Sequence, residues 1–68
     1  MKPTVVFRHI EDIPILVGCP AVVFALDHPT RGASAVWAGW VLNAWEDDNH
    51  NVVRFETDNA YYVVEKWW

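Results

Sequence analysis

Apolar positions along this chain alternate with polar ones or gather in short runs, and no stretch sustains a convincing 3.6-residue period. The densest run, residues 36–45, reads Val-Trp-Ala-Gly-Trp-Val-Leu-Asn-Ala-Trp and carries three tryptophans without a charge. Trp and Val suit the pleated surface of a sheet, whereas Gly39 and Asn43 disfavour a helix interior. The run is therefore expected as the central strand. Alternation puts Trp37, Gly39, Val41, Asn43 and Trp45 on one face and Val36, Ala38, Trp40, Leu42 and Ala44 on the other. Both faces are largely apolar, which sets such a strand between two layers or between its own fold and a partner. Gly39 is where it is expected to bend or bulge. A short helix over residues 33–44 is the competing reading.

The flanking segments repeat the strand pattern. Residues 4–10 are rich in β-branched side chains and form a first strand, closed by Glu11 and Asp12. Residues 13–17 are apolar but contain Pro14, which has no N–H for a ladder, so they make an edge strand or an extended connector ending at Gly18. Residues 21–26 are apolar on both faces and are expected to be buried. Residues 27–32 form a turn-rich loop by their Asp, Pro and Gly, and residues 46–51 a polar hairpin tip. The last hairpin has a definite register. A two-residue turn at Asp58 and Asn59 sets Phe55 opposite Tyr62 and Val53 opposite Val64 on one face, with Arg54 opposite Val63 and Glu56 opposite Tyr61 on the other. The first face is wholly apolar and the second mixed. The fold class expected is all-β, a single small antiparallel sheet or partly closed barrel of about five strands, with residues 1–68 as one domain.

Composition adds a constraint on assembly. The chain has 68 residues, 53% of them hydrophobic and 15% aromatic, and a domain this short has little interior in which to hide them. Small domains are commonly reinforced by disulfides, a metal or oligomerisation. Cys19 is the single cysteine and is expected as a small buried hydrophobe. A homo-oligomer is the expectation that remains. The formal charge of -4, from nine acids against five bases with no basic run, argues against binding a nucleic-acid backbone. The N-terminus lacks a small-residue cleavage site and no apolar run approaches ~18 residues, so an intact cytoplasmic protein without a membrane span is expected.

Candidate chemistry is sparse. His9, His28 and His50 fall on different elements without ligand spacing, so no metal is expected. Residues 47–51 are oxygen-rich but lack the Gly and distal Glu of a calcium loop. Ser34 and Cys19 stand without an adjacent base, and the glycines stand alone rather than in a phosphate-cradling loop. No enzyme activity and no cofactor are expected. What remains is aromatic surface with a few placed charges, the residue types that concentrate at binding hot spots. Phe24, Trp40, Phe55 and Tyr62 are assigned to the core. Arg31, Trp37, Trp45, Arg54 and Tyr61 are the candidate ligand- or partner-binding residues, since an arginine near aromatic rings can clamp an anion or stack on a base. Trp67 and Trp68, adjacent and hence pointing to opposite faces, are assigned to an oligomer interface.

Three segments carry a likeness. Residues 20–29 (Pro-Ala-Val-Val-Phe-Ala-Leu-Asp-His-Pro), 39–43 (Gly-Trp-Val-Leu-Asn) and 55–62 (Phe-Glu-Thr-Asp-Asn-Ala-Tyr-Tyr) resemble small uncharacterised β-sheet accessory proteins of phages and prophages, over about half the chain. The resemblance implies a compact antiparallel β fold and an accessory role, sometimes the blocking of host defence. It brings no catalytic residues. Taken with the apolar surplus, it makes the expected function that of a non-enzymatic oligomeric binding protein in the host cytoplasm, a phage-encoded inhibitor of host defence. Such an inhibitor would mask a host protein or sequester a small signalling nucleotide, a small anionic ligand. A structural or assembly component of a phage or prophage module is the alternative.

Overall fold

The computed structural model describes residues 2–65; Trp67 and Trp68, assigned above to an oligomer interface, lie outside the described residues. Six strands are present, β1 (Thr4–Arg8), β2 (Pro20–His28), β3 (Gly32–Trp40), β4 (Asn43–Glu46), β5 (Val52–Glu56) and β6 (Tyr61–Val64). They form one sheet in the order β3-β2-β1-β6-β5-β4. The all-β expectation holds, and the six strands among the described residues accord with about five. Two particulars differ: the sheet is open rather than partly closed, and it is mixed rather than antiparallel. The parallel element is the pairing of β1 with β6, which sets Val5 beside Tyr62 and Phe7 beside Val64. Parallel neighbours cannot be joined by a tight turn, so no local pattern announces this contact.

The tryptophan-rich run is not a central strand. It is broken at Val41 and Leu42, and its two halves, β3 and β4, lie at opposite edges of the sheet. Gly39 sits at φ 101°, and the ladder to β2 slips between Ala21 and Val22, so that Ala38 is the extra residue of a bulge. The slip cancels simple alternation. Val36, Ala38 and Val41 turn inward, whereas Trp37 and Trp40 both turn outward, 62% and 57% exposed. Trp40 is therefore surface rather than core. Beyond the bulge, Val41 accepts from the Gly18 N–H at 2.9 Å and donates to the Cys19 carbonyl at 3.0 Å, and the Leu42 N–H then donates to Glu56 at 2.8 Å. Two residues carry the chain from the β2 side to β5.

The buried residues share one face of the sheet. Val5 and Phe7 of β1, Val23 of β2, Val36 of β3, Phe55 of β5 and Tyr62 of β6 form its centre, with Ile15 packed in from the connector between β1 and β2. Phe7 meets Phe55 edge-on at 5.2 Å. Pro14 falls in that connector, which carries no strand. Phe55 and Tyr62 are core as expected, at 0% and 2% exposure. Phe24 is half-buried on the outer face opposite Ala35, because β2 exposes alternate residues instead of burying both faces. Cys19 is exposed rather than buried, since it lies just before β2, where the backbone serves Val41.

The last hairpin has the expected register, with Arg54–Val63, Phe55–Tyr62 and Glu56–Tyr61 opposite one another. Its turn is built differently from the one expected. Among the described non-glycine residues only Asp12 and His50 have positive φ, so Asp58 and Asn59 do not form the mirror-image turn that would need it. Thr57, fully buried, holds the turn instead: its hydroxyl accepts from the Asn59 and Ala60 N–H groups, each at 3.2 Å.

Candidate functional site

The outer face of β4, β5 and β6 gathers three of the five candidate binding residues. The ladders set Trp45 of β4 opposite Arg54 of β5, and Glu56 of β5 opposite Tyr61 of β6, all on the side away from the core. The Arg54 guanidinium carbon lies 4.9 Å from the Trp45 ring centre and 5.5 Å from that of Tyr61. The Lys2 ammonium stands 5.2 Å from the Tyr61 ring centre. Cations and rings thus alternate across three strands as Lys2, Tyr61, Arg54 and Trp45, each contact drawing on the negative ring face.

The two cations differ in their partners. Lys2 Nζ is 2.6 Å from the Glu56 carboxylate and donates to the Thr57 carbonyl at 2.8 Å. Asn43 Nδ2 donates to the same carboxylate at 3.2 Å. The Lys2 ammonium, with the Asn43 amide adding to it, holds the Glu56 carboxyl below its ordinary range. Glu56 is thereby committed. Arg54 has no such partner: no carboxylate among the described residues pairs with it, and its Nε is buried without a hydrogen-bond acceptor. The enclosed Nε faces no ligand, so the capacity left for an incoming oxygen anion or carbonyl lies with the terminal Nη groups of this half-buried guanidinium.

The remaining candidates lie elsewhere. Trp37 is on the outer face of β3 beside Val22, at the far edge of the strand order, and Arg31 is exposed in the turn between β2 and β3. Neither joins the Arg54 row. Lys2, Asn43 and Glu56 were not singled out as site residues; the sole sequence signal was the Glu56–Tyr61 pairing on the mixed face, while Lys2 reaches the row only through the parallel pairing of β1 with β6.

Exposed apolar side chains extend the surface. Trp40, Leu42, Leu16 and Val17 are 57%, 48%, 53% and 59% exposed, and the hydrogen bonds of Val41 to residues 18 and 19 bring these segments together at the break between β3 and β4. Leu16 also borders a concavity lined by His9, Glu46 and His50, with His9 Nε2 2.7 Å from the Val52 carbonyl oxygen. Among the described residues no group of three His, Cys, Asp or Glu side chains is placed to hold a metal ion, and no helix is long and apolar enough to cross a membrane. No family model, curated protein or solved structure matches this chain.

Proposed function

We propose that the chain is a non-enzymatic, homo-oligomeric binding protein that masks a host protein, in the manner of a phage-encoded inhibitor of host defence. The observation carrying this reading is Arg54, held between Trp45 and Tyr61 without a carboxylate of its own among the described residues. Arginine and tryptophan, anchored and partly desolvated, are the side chains that dominate binding energy at protein interfaces. The row lies on an open sheet face instead of in an enclosed cleft, and a flat face suits a protein surface better than a small molecule, which needs most of its area enclosed. The partner group that best fits is a carboxylate or main-chain carbonyl presented to the Arg54 Nη groups.

The test is affinity capture from host lysate with the wild type and with Arg54→Leu in parallel, followed by mass spectrometry of proteins and released small molecules. A protein retained by the wild type and lost by Arg54→Leu, with the melting temperature of the variant unchanged, is the expected result. A released nucleotide in place of a protein would favour sequestration of a small signalling molecule. Co-fractionation with phage particles would favour an assembly component. Equal capture by both forms would remove Arg54 from the interface.

A further inference from the structure

The two edges of the sheet are built differently. β4 is short, four residues, carries Glu46 and a bulge beside it, and borders the charged row of Arg54 and Glu56. Such devices are how edge strands avoid pairing with another chain. β3 is neither short nor charged, and its own bulge, at Ala38, falls near its end and leaves Ser34 to Trp37 regular. It runs nine residues, Gly-Ala-Ser-Ala-Val-Trp-Ala-Gly-Trp, with neither a charge nor a proline. Among the described residues its ladder partner is β2 alone, and between Gly32 and Ala38 they make no backbone hydrogen bond outside that ladder. The β5–β6 turn approaches β3 at Gly39, where a Cβ would meet Asp58 Oδ1 at 3.8 Å, so the uncovered length is the stretch before it.

We infer that this edge pairs antiparallel with the β3 edge of a second copy, joining the two sheets about a two-fold axis at Val36. This deepens the homo-oligomer part of the function proposed above and is independent of the Arg54 surface. The reason for choosing a second copy is the self-complementarity of the strand. Its outer-facing positions before Val36 are small, Ala33 and Ala35, and the one after it is Trp37, 62% exposed. Antiparallel pairing about Val36 brings Trp37 across from Ala35 of the second copy, and the same contact recurs on the other side of the axis. Phe24 stands opposite Ala35 on β2, so each Trp37 ring reaches over an alanine to an aromatic ring. Two copies carrying the same net negative charge meet here without opposing charges, because the strand has none. Each Trp37 ring laid over Ala35 removes part of its exposed surface from water, in addition to the ladder hydrogen bonds.

Light scattering over about two decades of concentration, with two variants, tests the pairing. The wild type is expected at twice the mass of one chain. Ala35→Glu places an unpaired charge against Trp37 of the second copy, and Trp37→Arg removes both rings, so each alone is expected as a monomer. Mixed, they restore a dimer, because one row keeps Trp37 over Ala35 while the other sets Glu against Arg. A wild type that stays monomeric, or a mixture that stays monomeric while the wild type dimerises, overturns the inference. If Ala35→Glu does not fold, amide exchange on the wild type decides: residues 33–37 gain protection with rising concentration if the edge pairs, and show none if it does not. Loss of the dimer with Arg54-dependent capture intact, or the reverse, separates this inference from the proposed partner surface.

Discussion

Phe55 and Tyr62 stack face to face at the centre of the buried side, ring centres 4.6 Å apart and planes within 4° of parallel, with Phe7 edge-on to both at 5.2 and 6.5 Å. Truncating Phe55 removes a ring that is 0% exposed and leaves a cavity that neighbouring β-branched side chains cannot fill by changing rotamer. Phe55→Ala is expected to cost about 3 to 5 kcal/mol, enough to unfold most domains of this size, and thermal unfolding by circular dichroism measures it. Tyr62→Phe keeps the ring stack and is expected to change stability by no more than about 1 kcal/mol.

Thr57 is the one buried polar residue among those described, and it holds the last turn through two accepted N–H bonds from Asn59 and Ala60. Thr57→Val keeps the shape and removes the acceptor, leaving the Ala60 N–H buried without it. Urea unfolding is expected to show a loss of about 1 to 3 kcal/mol. Thr57→Ser is expected to recover most of it.

Gly39, at φ 101°, has open contacts at 3.8 to 3.9 Å around the position a Cβ would take, so space does not forbid a side chain there. The backbone angle does. Gly39→Ala is expected to lower stability by about 1 kcal/mol or more through strain alone, read as a fall in melting temperature.

Asp47 and Glu56 give the stability an acid limb. The Asp47 carboxylate accepts from the Asn51 and Asn49 N–H groups at 3.0 and 2.9 Å, and these bonds, that to Asn51 foremost, hold its pKa below the ordinary value. Lys2 and Asn43 do the same for Glu56. Each carboxyl binds its proton more readily unfolded than folded. The stabilisation they give is thus complete above their ordinary carboxyl range and is lost as pH falls through the lowered folded values. Melting temperature is expected to be flat from about pH 7 to about pH 5 and to fall below about pH 4. Glu56→Gln is expected to make that fall shallower, and an unchanged acid limb in the variant would exclude Glu56 as a contributor.

Much of the local chemistry was legible in the sequence. The register of β5 with β6 followed from counting outward from Asp58 and Asn59, and with it the outward placement of Arg54 and Tyr61 on neighbouring strands. The expected bend at Gly39 is a bulge. What could not be read was long-range. Trp40, assigned to the core, is turned outward beyond the bulge at Ala38, a one-residue slip that moves every later side chain to the other face. The run from Val36 to Trp45 has the composition of a buried central strand, yet its two halves occupy the edges, because apolar content measures what a strand can cover and not which neighbours it finds. Lys2 entered the aromatic row through the pairing of β1 with β6, a contact between segments that no turn connects.

That pairing also orders the events of folding. β2 with β3 and β5 with β6 are hairpins whose partners follow one another in the chain, and such units close in microseconds. The seam between β1 and β6 is different. Its far end is clasped by Arg8 and Glu65, bonded twice at 3.0 Å across a separation of 57 positions, so nearly the whole chain must be gathered before one seam contact forms. Until then each half-sheet presents a bare strand, β1 on one side and β6 on the other. Assembly of the sheet is therefore the slow step expected of a high-contact-order topology, and the window before it closes is when this chain is most exposed to pairing with the wrong neighbour.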